Sequence, residues 1–359
     1  MKYFKLLFLF AGFLFLTSCG SDDEVKSSVD IPSDFSVEIP QSISANAGGL
    51  SGRVSGDGDG VIEGNEIYES LRHFINIGEE SAEIIEFTLL VGVALEIQNI
   101  RSYTFESEDD EREKRIDITE GVTRGGVSYD YEMTMIDVAA NEMALQLLWN
   151  NDPVEGFAIL KPYNIDRSDQ DSEPNALVRI DYSEDDATYD ATMIVSIAGI
   201  EVVENGDIDN LKMFVGKKGD VVDVRGNSNH PNIEIIDPNF TGGRNYAFVA
   251  RGDESTDLGV ANLWLPPSSV TVNTFEPGDQ YSVFKVLEAE INEVANLDQA
   301  IIDAILAEAL SPAYFNNDGF ITSGTDNKPA SFSDSFVDLS GMSPFVPNDI
   351  KNLEIDFIQ

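Results

Sequence analysis

The chain has 359 residues, with 65 acidic and 22 basic side chains, a formal net charge of −43 and a single cysteine. So acidic a surface repels nucleic acid and anionic lipid headgroups, which excludes nucleic acid as an expected partner. One cysteine excludes an intrachain disulfide and a thiolate metal cluster, and a hydrophobic content of 42% in regular patterns is not typical of a disordered acidic chain.

Residues 1–18 are predicted to be a signal peptide. A short basic start precedes an apolar run, Leu6 to Leu16, that is too short to span a bilayer. The next tetrad, Leu16-Thr17-Ser18-Cys19, resembles the bacterial lipobox, whose cysteine is lipidated and becomes the first mature residue. The resemblance implies a membrane link through acyl chains such as palmitate on Cys19, and a net charge that goes from −43 to −45 when two lysines leave with the leader. The alternative is an ordinary secretory peptide with a chance cysteine.

The residues after the cysteine are acidic, and Ser21, Asp22, Asp23 and Glu24 resemble the export signal of surface-exposed lipoproteins of Bacteroidota. That resemblance implies an outer-membrane protein on the cell surface; the alternative is a solvated acidic tether. Residues 19–46 are expected to form the lipidated tether and a first short strand, since Phe35–Ile39 alternates and Pro40 stops it.

Residues 47–100 begin with an acidic, glycine-rich loop that resembles an EF-hand calcium site. Carboxylates two residues apart, a central glycine and a glutamate at the end of the loop are the features that a calcium loop needs. The expected ligands are Ser55, Asp57, Asp59, Val61 (through its carbonyl), Glu63 (through water) and Glu66. Ser55 stands where the family has an aspartate, which removes one charge. The alternative is an Asp/Gly turn that leads into a helix.

After this loop, apolar residues recur at intervals of three and four. The spacing predicts two helices bent near Gly78, the second (Ile84 to Ile97) being buried under a sheet.

From about residue 101 the apolar residues alternate, which is typical of an antiparallel sheet with one buried and one wet face. Predicted strands cover 127–135, 143–149, 176–182, 189–197, 211–215, 220–224, 246–250 and 260–265. Residues 280–291 fit strand or helix. A helix is expected over 297–309 because Leu297, Ile301, Ile305 and Ala309 recur at helical spacing, with Asn296 and Gln299 as a capping box. After Pro312 little regular structure is expected until Leu353–Ile358.

The fold class predicted from these elements is α+β: a large antiparallel, curved sheet packed on the helices of 63–98 and 297–310. Residues 47–100 and 101–359 are expected to form one domain.

The function classes remain open at this point. No serine-hydrolase, zinc-protease or phosphate-loop motif occurs. His73 fits a boundary position on a helix, Trp149 fits the core, and Arg251-Gly252-Asp253 fits a loop. The first hypothesis is a non-catalytic binding or accessory lipoprotein of an outer-membrane protein complex, or one that holds an apolar ligand. The second is a lipid-tethered extracellular hydrolase, most plausibly a glycoside hydrolase, which needs only two carboxylates.

Overall fold

The computed structural model describes residue 32 and residues 35–44, 64–94, 102–107, 109–168, 173–201, 209–229, 246–265, 281–295 and 297–359. Its dominant element is one antiparallel sheet, which confirms the predicted sheet. Each of the thirteen described strands pairs with the next strand along the chain, and the sheet is open because the first and last strands each pair on one side. The strands are β1 (Ser102–Glu106), β2 (Glu113–Arg124), β3 (Val127–Asp137), β4 (Glu142–Asn151), β5 (Val154–Leu160), β6 (Leu177–Ser183), β7 (Ala191–Ala198), β8 (Leu211–Lys218), β9 (Val221–Ser228), β10 (Ala247–Asp253), β11 (Leu258–Trp264), β12 (Ala313–Asn316) and β13 (Gly319–Ser323).

The described helices are few, and only the first is long. They are α1 (Gly64–Ala94), α2 (Pro162–Ile165), α3 (Val283–Val294), α4 (Gln299–Ile305), α5 (Asp334–Val337) and α6 (Pro347–Lys351), with a 3₁₀ turn at Thr325–Asn327. None of the described helices is long and apolar enough to cross a membrane.

The predicted break at Gly78 is wrong, because α1 continues through this residue. Gly78 has a packing role instead: a Cβ atom there would lie 2.0 Å from Cε of Met213 and 4.0 Å from Cγ2 of Val195. The missing side chain therefore lets α1 approach β7 and β8 closely.

The face of the sheet toward α1, the inner face, carries the main core. Its buried side chains include Met133, Leu147, Ile180, Val195 and Met213, and they form one cluster with apolar residues of α1. The helix crosses several strands. Tyr68 lies edge-on to Phe315 of β12 at 6.3 Å between ring centroids, and Phe74 lies edge-on to Phe248 of β10 at 5.4 Å.

Residues 35–44, which we call the inner segment, also lie against the inner face. Phe35 is buried 5.2 Å from the ring of Tyr182 in β6, and Ile43 is buried at the other end of the segment. The Ser42 hydroxyl donates to the carbonyl of Leu258 at 3.0 Å, and Arg72 of α1 donates to the carbonyl of Gln41 at 2.6 Å. The predicted strand at 35–39 is wrong, since these residues pair with no strand among the described residues, but they are buried in the core as their apolar character suggests.

The outer face is covered by residues 329–358, which we call the strap. Phe332 and Leu339 pack on Val249, Val260 and Tyr314 at one end of the sheet. At the other end, the strap packs on β4 and β5 with the side chains Leu353, Ile355, Phe357 and Ile358. The prediction of one wet face is therefore wrong where the strap passes. Strand β4 shows this most clearly, because all six residues from Ala144 to Trp149 are buried.

The chain between β11 and β12 decides one open alternative and corrects the predicted cap and face of a helix. The ambiguous stretch at 280–291 contains the helix α3, capped by the Ser282 hydroxyl. The N-cap of α4 is Asp298, which accepts from the amide of Ala300 at 3.0 Å, and not Asn296. Helix α4 also turns a different side toward the core. Of the predicted apolar stripe only Ala309 is buried, together with Ile302 and Leu306, whereas Leu297, Ile301 and Ile305 are 37%, 50% and 43% exposed.

Candidate functional site

A cleft lies on the outer face where the strap meets the ends of β9, β10 and β11. Its volume is about 330 Å³, at the lower end of small-molecule sites. Its lining combines hydroxyl groups, one ion-pairing cation, one carboxylate and three apolar side chains. The lining residues are Val221, Arg251, Asp253, Thr256, Leu258, Ser331, Ser333, Ser335 and Phe336.

The pairing of β9 with β10 places Asp223 directly opposite Arg251. The guanidinium donates to both carboxylate oxygens of Asp223, from Nε at 2.6 Å and from Nη2 at 3.1 Å. The Tyr189 hydroxyl donates to the same carboxylate at 3.1 Å. Burial and the neighbouring carboxylate raise the pKa of Tyr189 to about 12, so its hydroxyl stays protonated as a donor at neutral pH. The hydrogen bonds to Asp223 likewise raise the pKa of Arg251 above its usual value.

The Nη1 atom of Arg251 contacts the strap. This atom lies 3.4 Å from the carbonyl oxygen of Ser335 and 3.3 Å from those of Phe336 and Asp338, at the end of α5. A cation at a helix C-terminus satisfies carbonyls that have no partner within the helix. Arg251 therefore joins the strap to the sheet at the edge of the cleft.

The cleft offers hydrogen-bonding groups without a nucleophile–base pair among its described lining residues. Oδ1 of Asp253 accepts from the amide and the hydroxyl of Ser255 at 2.9 and 2.7 Å. The Ser333 hydroxyl accepts from the amide of Phe336 at 3.2 Å and lies 3.2 Å from the Ser335 hydroxyl. A hydroxyl becomes a nucleophile when a general base takes its proton. The arrangement therefore suits binding of a small polar molecule.

A second concentration of charge lies at the opposite edge of the sheet, around Asp137. This carboxylate is fully buried, and Arg112 donates to both of its oxygens, at 2.6 and 2.8 Å. Lys114, which is 1% exposed, lies 3.3 Å from Asp137 and 2.8 Å from Asp110. Arg167 adds a third cation, with its Nε 3.0 Å from Asp137.

This cluster is balanced and hydrogen-bonded throughout. Its three cations face Asp110, Asp137 and Glu142, and the Lys114 ammonium also donates to the carbonyl of Asn164 at 3.0 Å. Burial by itself would raise the pKa of Asp137, but the hydrogen bonds from Arg112, from the amide of Ala140 and from Lys114 hold that pKa well below its usual range. The cluster joins β2, β3 and the chain after α2, which is a structural role.

Most residues of the predicted sites lie outside the described residues. This applies to the signal peptide, to Cys19, to the export signal Ser21–Glu24 and to the calcium-loop residues Ser55, Asp57, Asp59, Val61 and Glu63. Glu66 is described and lies in the first turn of α1, with its amide donating to the Asn65 side chain at 2.8 Å. Within the described ranges, no three His, Cys, Asp or Glu side chains come together as a metal site would require.

The other residues singled out in the sequence have ordinary surroundings. Trp149 is buried in the core, as predicted, and stacks on Tyr131 at 5.2 Å. His73 is half-buried on α1. The loop predicted for Arg251-Gly252-Asp253 is wrong, because these residues end strand β10. Gly252 faces inward, where a Cβ atom would lie 3.0 Å from side-chain atoms of Pro40 and Ile43.

Sequence reasoning missed both charged sites. The available signal was a charged residue at alternate positions of an otherwise apolar strand, as at Asp223, Arg225 and Arg251. Alternation places these residues on one face, but it does not show that another segment covers that face.

Comparison of the chain with protein-family models, with characterised proteins and with solved structures finds no match. The function is therefore argued from the residues and their geometry.

Proposed function

We propose that this chain is a lipid-anchored protein of a bacterial outer membrane, exposed on the cell surface, with a non-catalytic role in binding or in assembly of a complex. The anchor part rests on one observation: an apolar leader followed by Leu16-Thr17-Ser18-Cys19. The surface part rests on Ser21, Asp22, Asp23 and Glu24, which follow the cysteine.

The first described residue with a buried side chain in the core cluster is Phe35. Pro32 is buried as well, so residues 20–31 would separate the anchor from the folded body, and twelve residues reach at most about 40 Å when extended. A tether of that length supports a body that stands clear of the lipid headgroups and can meet partners at the surface.

Binding is favoured over hydrolysis by the carboxyl groups of the described part. A glycoside hydrolase needs a general acid whose pKa is raised. Each described carboxyl group with a clear shift, as at Asp110, Asp137, Asp186, Asp334 and Asp338, has a lowered pKa because hydrogen bonds favour its ionised form over the cost of burial. These groups serve as hydrogen-bond acceptors and ion-pair partners.

In this proposal the sheet curves around α1 and the inner segment. The ligand is a polar molecule or a protein partner and not an apolar molecule. The support is that Phe35, Val37, Ile39 and Ile43 fill the inner face that an apolar ligand would need, whereas the cleft on the outer face is open and rich in hydroxyl groups. Calcium bound at Ser55–Glu66 is part of the proposal as a structural ion.

The anchor is tested with Cys19→Ser in the native host. We expect the variant to remain an uncleaved precursor that takes up no labelled fatty acid, while the wild-type chain is processed and labelled. Processing and acylation of Cys19→Ser would show that the lipobox interpretation is wrong.

Surface exposure is tested by adding protease to intact cells. We expect digestion of the wild-type chain and protection of a variant with Asp22, Asp23 and Glu24 changed to Ala. The matched control changes three exposed acids of the folded body, Glu113, Glu201 and Glu308, to Ala, with the same change in charge. A wild-type chain that resists protease, or a control variant that is equally protected, would contradict the export signal.

A further inference from the structure

The cleft on the outer face has a carboxylate between apolar side chains. In the pairing of β9, β10 and β11, Asp253 lies directly opposite Val221 on one side and Leu258 on the other. Paired residues of neighbouring strands point to the same face of a sheet, so an apolar side chain flanks the carboxylate on each side. Phe336 of the strap adds an aromatic ring to the same lining. A molecule in the cleft therefore meets a polar acceptor and apolar surface together.

The carboxylate of Asp253 is held in a fixed orientation. Its Oδ1 accepts from the amide and the hydroxyl of Ser255 at 2.9 and 2.7 Å and from the amide of Thr256 at 3.1 Å. Within the described part of the chain, every hydrogen bond to this carboxylate ends on Oδ1. An ionised carboxylate accepts at both oxygens, so Oδ2 is available to a donor group of a ligand.

The part of the lining that the strap contributes is rich in hydroxyl groups. Ser331, Ser333 and Ser335 line the cleft at alternate positions, and all three are exposed. A hydroxyl group both donates and accepts hydrogen bonds, whereas an ammonium group only donates and an ionised carboxylate only accepts. The hydroxyl groups of a ligand therefore match these serines both as donors and as acceptors.

The charges at the cleft disfavour an ionic ligand. Arg251 and Asp253 both line it, so a small cation and a small anion each meet one like charge. Each nitrogen of the Arg251 guanidinium already has a partner, because Nε and Nη2 donate to Asp223 and Nη1 donates to carbonyls of the strap. An anion would gain little from this guanidinium, and the net charge of −43 repels anions from the surface. A neutral ligand avoids both penalties.

We propose that the cleft binds one unit of a neutral sugar. A pyranose ring carries hydroxyl groups around its rim and C–H groups on its faces. The hydroxyl groups match Oδ2 of Asp253 and the serines of the strap, and the C–H groups match Phe336 and Leu258. A volume of about 330 Å³ suits a ligand of this size. The inference rests on the binding role proposed above, whose ligand it names, and it does not depend on the lipid anchor.

Binding is measured by isothermal titration calorimetry on the full chain in detergent. The probes are the methyl pyranosides of glucose, mannose and galactose. We expect at least one of them to bind with a dissociation constant of about 10⁻³ M, as is usual for so small a ligand. The ionised uronate and the ionised amino sugar with the same ring should bind about tenfold more weakly, because each brings a like charge to the cleft.

The site is tested with substitutions in the lining. Asp253→Asn removes the ionised acceptor and keeps an oxygen for the amides of the turn, so we expect binding to be about tenfold weaker. The matched control is Asp166→Asn. Asp166 likewise accepts from the amide and the hydroxyl of the serine two positions later, at 2.8 and 2.7 Å, but it does not line the cleft. Binding should therefore be unchanged in Asp166→Asn. Ser335→Ala should weaken binding about fivefold, and this variant decides the matter if Asp253→Asn does not fold.

Three results would overturn the proposal. They are no binding of any of the three glycosides, binding of a charged analogue as tight as that of the neutral sugar, and an affinity that neither Asp253→Asn nor Ser335→Ala reduces below that of Asp166→Asn. None of these results affects the tests with Cys19→Ser and with protease, so the sugar ligand can fail while the surface lipoprotein stands. Conversely, processing and acylation of Cys19→Ser would contradict the anchor and leave sugar binding intact.

Discussion

At the scale of single residues, the buried charges around Asp137 show how an acidic chain uses its few cations. Arg112, Lys114 and Arg167 converge on one carboxylate that has no contact with water. Burying charge is costly, and removal of one partner leaves the others unpaired in a medium where water cannot compensate.

The first prediction is therefore that Asp137→Asn lowers the free energy of unfolding by about 3 kcal/mol. The matched control is Asp117→Asn, whose partner Arg115 lies 2.8 Å away at the surface with 42% of its side chain exposed. We expect a loss below about 1 kcal/mol there, because solvent screens the pair. The free energy of unfolding of both variants is measured by urea denaturation. An equal decrease in the two variants would contradict a special role for the buried cluster.

The same carboxylate makes stability depend on pH. The pKa of Asp137 is lower in the folded chain than its ordinary value of 3.8. Its stabilising effect is therefore complete above that ordinary value and is lost as the pH falls toward the folded pKa. We expect the free energy of unfolding of the wild-type chain to fall below about pH 4 more steeply than that of Asp137→Asn, which lacks this group.

At the scale of elements, Gly78 marks the contact between α1 and the sheet. Ala at this position would favour the helix by about 1 kcal/mol, but its methyl group would meet Met213, and overpacking of a core costs about 1–3 kcal/mol. We expect Gly78→Ala to lower the melting temperature of the wild-type chain. In a Met213→Ala background the contact is gone, and the same substitution should raise the melting temperature. If Gly78→Ala lowers the melting temperature equally in both backgrounds, the contact with Met213 is not the reason why the alanine is unfavourable.

The elements also show which parts of the fold the sequence could predict. The sequence could predict four strands, β3, β4, β6 and β7, because their apolar residues alternate. The same alternation predicts that they pair in an antiparallel sheet. Strand β5 was not, since Phe157–Leu160 is buried on both faces and its pattern reflects contacts with the strap. The face of α4 was predicted wrongly for a related reason: apolar spacing of three and four is present on both of its sides, and only the tertiary contacts decide which side is buried.

The candidate site was less predictable than the fold. The pair Asp223–Arg251 depends on the register of β9 against β10. The cleft beside it needs the strap, which begins over sixty residues after Asp253 and has little periodicity of its own. A local pattern carries neither a long-range register nor the path of an irregular segment.

At the scale of the whole molecule, the net charge of −43 opposes compaction. Sodium chloride should raise the melting temperature by screening this repulsion. Calcium at matched ionic strength should raise it further if Ser55–Glu66 binds the ion, with a dissociation constant of about 10⁻⁴ to 10⁻³ M and about 2.7 kcal/mol of stabilisation at a hundredfold excess.

The variant that separates these two effects is Asp59→Ala, which removes one expected ligand. We expect it to keep the response to sodium chloride and to lose the additional response to calcium, with magnesium acting less than calcium in the wild-type chain. A calcium response that matches sodium chloride, or one that persists in Asp59→Ala, would reduce the loop to an acidic turn.

The two coverings of the sheet have a consequence for how the chain reaches its folded state. Neighbouring strands pair in sequence order, so the sheet can grow hairpin by hairpin from local contacts, which form quickly. The two faces of the sheet are covered through long-range contacts. Ser42 is hydrogen-bonded to a residue 216 positions later, and Gln146 to one 212 positions later. The inner segment can therefore form its contact with Leu258 only after β11 has been synthesised. The strap can cover β4 only after residues 353–358 have been synthesised. In the export that we propose for this chain, both faces of the sheet would stay incompletely packed, and the chain able to be translocated, until residues 353–358 are available to cover β4.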